Sequence, residues 1–80
     1  MPQSLPDGEI TARIEAALYA AGRPLSSNDL MRAAGITSRE KVVKILDELI
    51  KKTQKVLTAL EIAQLDDDKF VFQVKPVYMP

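Results

Sequence analysis

Carboxylates are the residue type best supplied for chemistry in this 80-residue chain, and three of them, Asp66, Asp67 and Asp68, stand side by side. Adjacent acids can collect a hard cation. A calcium loop, however, spaces its oxygen ligands, carries a central glycine and closes on a distant glutamate, and that pattern is missing here. Turn formation and solubility account for the triplet. Glu9, Glu15, Glu40, Glu48 and Glu61 add carboxylates, but no two are tied by spacing to a common pocket, as general acid–base work requires. The chain has no cysteine and no histidine, which removes disulfides, thiolate or imidazole metal centres and His-based nucleophilic systems. Gly8, Gly22 and Gly35 stand at segment ends and make no phosphate cradle. Neither an enzyme nor a cofactor or metal site is expected.

The basic residues are the second candidate. Segment 38–55 carries six basic and three acidic side chains, and Arg39, Lys41, Lys44, Lys51, Lys52 and Lys55 could contact DNA phosphates. Arg39, near the start of a helix, could also reach a base edge. The same residues serve as a solvated helix face, knit by i,i+4 pairs such as Glu40 with Lys44 and Asp47 with Lys51. Eleven basic against eleven acidic side chains give a formal net charge of zero, which disfavours a dedicated grip on nucleic acid or an anionic membrane. Phe70 and Phe72 could stack bases, but that use needs a broader sheet and basic surroundings, so core packing is expected of them.

The elements that must position these residues follow from the hydrophobic period. Residues 1–8, with Pro2, Pro6 and Gly8, read as a flexible lead-in without the basic start or apolar core of a signal peptide. Ile10, Ile14, Ala17, Leu18 and Ala21 predict a first helix over 9–21, ended by Gly22 and Pro24. Ser26 is placed as an N-cap, Asp29 favours the positive end of a second helix over 27–34, and Leu25 with Leu30 makes a hydrophobic staple. Gly35 stops that helix. Thr37 and Glu40 match a capping box for a third helix reaching about residue 53, with Val42, Val43, Leu46, Leu49 and Ile50 as its apolar stripe.

The period then changes to two. A strand starting near Leu57 runs through Leu60 and Ile62, Asp66 to Asp68 turn the chain, and Phe70, Phe72 and Val74 alternate along the return until Pro76. The order is that of an α+β winged helix: three helices followed by a two-stranded antiparallel wing, spanning 9–76, with 77–80 as a tail. A soluble, cytoplasmic domain is expected, since the apolar runs fall short of a membrane span. The acidic turn repels phosphates where a DNA-following wing would carry Lys or Arg. Ile10, Ile14, Tyr19, Val77, Tyr78 and Met79 offer more apolar surface than so small a domain needs, which points to a protein interface.

Two stretches carry a family likeness. IEAALYAAGRPLSSNDLMRAAG, through Ile14, Glu15, Ala16, Leu18, Ala20, Gly22, Pro24, Leu25, Ser26 and Leu30, resembles the opening of segregation and condensation protein B. FVFQVKPVY, through Phe70, Phe72, Val74, Lys75, Pro76 and Tyr78, resembles that family's wing strand. The resemblance implies the first of two serial winged helices, a homodimer, and a non-enzymatic accessory role in chromosome condensation and segregation during the cell cycle. It further implies a kleisin subunit and a structural-maintenance-of-chromosomes ATPase as partners, and a cytoplasmic protein associated with the chromosome. The family's usual acidic middle segment is here KKTQKVLTALEIAQL, with Lys51, Lys52 and Lys55. That basic segment keeps a small DNA-binding transcriptional regulator, acting through the third helix, as the alternative.

Overall fold

The computed structural model describes residues 6–56, 59–66 and 68–79. Helix α1, Asp7–Ala21, starts two residues ahead of expectation, because the Pro6 carbonyl accepts from the Glu9 and Ile10 amides at 2.9 and 3.1 Å. Asp7 and Glu9 in its first turn favour the positive end of the helix. Gly22 closes it at φ 61, a left-handed conformation that glycine enters without a Cβ penalty.

Helix α2, Ser27–Ala34, has the predicted ends. The Ser26 hydroxyl accepts from the Asp29 amide at 3.1 Å while the Asp29 carboxylate accepts from the Ser26 amide at 3.0 Å, a reciprocal capping box. Gly35 stands at φ 72, and the Gly35 and Ile36 amides donate back to the Arg32 and Met31 carbonyls. From α1, Arg13 reaches the Ala34 carbonyl at 3.4 Å, placing a cation at the negative end of α2.

Helix α3, Arg39–Val56, departs from expectation in three ways. Its first turn is capped by Ser38, whose hydroxyl accepts from the Lys41 amide at 3.2 Å, and not by Thr37. It runs one turn past residue 53. Its buried face is Val42, Ile45, Leu46, Leu49 and Thr53, so Ile45 turns inward while Val43 is 38% exposed and Ile50 is only half-buried. Positions 42, 45, 46, 49 and 53 keep to one side of a 3.6-residue helix; position 43 stands about 100° away from 42. The i,i+4 pairs Glu40–Lys44 and Asp47–Lys51 are not formed.

Strands β2, Leu60–Leu65, and β3, Lys69–Val74, form the wing, with Ile62 opposite Phe72 and Leu65 opposite Lys69. The expected start near Leu57 and the residue Asp67 lie outside the described residues. A third strand, β1, Leu25–Ser26, pairs antiparallel with β3, giving the order β1-β3-β2 with β3 in the middle. Two residues are too few to show a period of two, so β1 leaves no pattern of its own in the sequence. Past Val74, Pro76–Tyr78 form a 3₁₀ turn.

The core lies between the helices and one face of this sheet: Ile10, Ile14 and Leu18 of α1, Leu30 and Ala34 of α2, the α3 stripe, and Leu25, Ile62 and Phe70 of the sheet. Burying each large aliphatic or aromatic side chain contributes about 1.5–3 kcal/mol. Phe72 shares that face but is half-buried, with the Tyr19 ring packed edge-on against it at 5.7 Å between centroids. Ile10 and Ile14, expected among the interface residues, are 1% and 0% exposed and belong to the core.

A buried polar contact joins the middle of the wing to α3. The buried Ile62 amide donates to the Thr53 hydroxyl at 3.0 Å, and that hydroxyl donates in turn to the Ile50 carbonyl at 3.2 Å. Because the Ile62 amide points to α3, it points away from β3, and β2 is an edge strand whose buried stretch is satisfied by a helix side chain. Thr53→Val keeps the volume and strands that amide, so urea unfolding is expected to show a loss of about 1–3 kcal/mol, with Thr53→Ser retaining most of the stability.

The capping box gives a pH-dependent expectation. The Ser26 amide, then the Arg32 guanidinium and the Ser26 hydroxyl, hold the Asp29 carboxyl below its ordinary value. A carboxyl with a lowered folded pKa contributes stability above its unfolded pKa and loses it as pH falls through the folded one. The melting-temperature gap between the wild type and Asp29→Asn is therefore expected to hold steady from neutrality to the ordinary aspartate range and to close below it. Ser26→Ala is expected to cost about 1 kcal/mol.

Candidate functional site

The hairpin presents two chemically opposite ends. At its turn, Asp68 folds back on the helices: its Oδ2 accepts from the Ser27 hydroxyl at 3.1 Å and from the Ser27 amide at 3.4 Å. Arg39, the first residue of α3, donates through Nη1 to the Ser27 hydroxyl and through Nη2 to the Asn28 side-chain oxygen at 2.9 Å. Arg39 Nη1 and Asp68 Oδ2 are 3.8 Å apart, with side chains 54% and 42% exposed. Solvent screens a pair so exposed, and its contribution is about 0–1 kcal/mol. Ser27 itself is fully buried, so its hydroxyl has both its proton and a lone pair used.

The other basic residues expected to reach DNA are scattered along α3. Lys41 is half-buried and pairs with Asp7 of α1 at 3.2 Å. Lys44, Lys51, Lys52 and Lys55 face solvent, with Asp47 and Glu48 exposed on the same helix. Lys55 lies in the last turn, where a cation also complements the helix dipole. An open groove between α1 and α3, lined by Asp7, Thr11, Lys41, Lys44, Ile45 and Glu48, mixes both signs of charge. Among the described residues no group of three or more acidic side chains comes together as a metal site, and no helix is long and apolar enough to cross a membrane.

The opposite end of the hairpin is apolar. Val77, Tyr78 and Met79 are 79%, 60% and 56% exposed. Leu60 pairs with Val74 across the ladder, and both are more than a third exposed although they share the face that buries Ile62. Lys75 donates from Nζ to the Gln54 carbonyl and from its amide to the Ala59 carbonyl, which brings the end of α3, with exposed Val56, to the same place. Val56, Leu60 and Val74 thus join the three tail residues. Sequence reasoning missed Leu60 and Val74 because both look like core positions by period, and their exposure is decided by tertiary packing. Tyr19, 74% exposed, flanks the middle of β3 through Phe72.

A search of curated proteins finds no match. The family model for the segregation and condensation complex subunit ScpB matches residues 12–80, covering most of α1, all of α2 and α3, and both wing strands. That coverage places the chain in the segregation and condensation complex subunit ScpB family, a non-enzymatic family of chromosome segregation and condensation.

Proposed function

We propose that this winged helix acts by holding other polypeptides, with the apolar end of its hairpin as the contact surface. The observation that carries this reading is the gathering of Val56, Leu60, Val74, Val77, Tyr78 and Met79 at one end of a small domain. An exposed apolar cluster rimmed by polar groups is a usual mark of a protein interface, and tyrosine and methionine are favoured there. The first partner is a second copy of the chain, giving a homodimer. A kleisin subunit and a structural-maintenance-of-chromosomes ATPase complete the assembly, and ATP hydrolysis belongs to that ATPase. DNA contact is weak or indirect, because Arg39 is engaged within the domain and the wing carries acids at its turn. The same two features weigh against a transcriptional regulator reading a site through α3.

Sedimentation velocity across a micromolar concentration series tests the association. The wild type is expected to shift from monomer to dimer with concentration, and Val77→Asp combined with Tyr78→Asp to weaken the dimer by roughly tenfold or more, about 1.4 kcal/mol. These positions are exposed, so the fold is expected to survive. A wild-type chain that stays monomeric throughout, or a dimer indifferent to the double substitution, overturns the proposed surface.

A further inference from the structure

We infer that Asp68 and Arg39 form an intramolecular latch by which the wing masks the leading charge of α3 and keeps its first turn from nucleic acid. In a helix-turn-helix the opening turn of this helix is the part that meets the major groove and its flanking phosphates. Arg39 occupies that position, and its two terminal nitrogens donate to Ser27 and Asn28 while its charge lies 3.8 Å from the Asp68 carboxylate. Asp68 in turn accepts from the hydroxyl and the amide of Ser27, a residue with no exposure. Three separate elements, the wing turn and the N-terminal turns of α2 and α3, therefore meet at one serine.

The latch is specific in its placement and modest in its strength. Asp66 lies two positions away in the same turn, at φ 52, exposed and in no ion pair among the described residues. Among the described carboxylates only Asp68 reaches Arg39. Both latch side chains keep about half of their surface in water, so competing phosphates or salt can displace the carboxylate. The latch sits at the turn, whereas the surface proposed for association sits at the far end of β3, so either can fail without the other.

Binding of the full chain to a short fluorescently labelled DNA duplex at low salt separates masking from a simple change in net charge. Asp68→Asn and Asp66→Asn each remove one negative charge from the same turn, and both substitutions retain a side-chain oxygen. Asp68→Asn is expected to tighten binding by roughly threefold or more beyond Asp66→Asn, and to steepen the salt dependence by about 0.9, the equivalent of one added phosphate contact. Adding Arg39→Gln to Asp68→Asn is expected to remove the surplus. Equal gains from the two asparagine variants, or a gain that persists without Arg39, overturn the latch. Circular dichroism melting of each variant confirms that a folded domain is being compared.

Discussion

The domain depends on how its wing is closed against the helices. A two-stranded hairpin is not stable alone, and three short helices leave an open apolar side. Ile62 and Phe70 fill that side, and the Thr53 hydroxyl takes the Ile62 amide that the ladder leaves pointing outward. Burial drives the closure; the hydrogen bond fixes its register. A slip of one residue along β2 would swing Ile62 to the opposite face and present Glu61 or Ala63 to the core. The short β1 strand pins the other side of β3 at Phe70, so the middle strand is held from both edges.

That closure gives the hairpin two unlike ends. Toward its turn the strands run past the start of α2 and α3, where Ser27, Asn28 and Arg39 meet Asp68. Toward its open end Leu60, Val74 and the 3₁₀ turn lie exposed beside the end of α3. Polar satisfaction at one end and unspent apolar surface at the other arise from the same geometry. Such a division accords with the association proposed above for this member of the segregation and condensation complex subunit ScpB family.

Much of this was legible in the residues. Ser26, Asp29 and Gly35 mark both ends of α2 because caps are local, made by side chains within four residues of the amides they satisfy. Ile62 and Phe70 show their inward face by alternation. The errors have a common source in tertiary placement. Ile10 and Ile14 looked surplus because α1 is apolar on several sides, and only the packed domain shows which side is covered. The contact of Arg39 within the domain was not legible beside its reading as a possible DNA contact, because Asp68 stands 29 positions later in the chain. Ser38 displaced Thr37 as the cap of α3 since either hydroxyl suits the role, and the approach of the loop decides. β1 was invisible because two residues have no period.

The central claim is that wing and helices form a single cooperative unit joined at Ile62. Native-state hydrogen exchange at the Ile62 amide measures this most directly. The account predicts that this amide exchanges only through global opening, with a free energy equal to that of unfolding by urea and equal to that of core amides in α1 and α3. An Ile62 amide that exchanges far faster, while those helix amides stay protected, would show a wing that opens by itself and would contradict the closure described above.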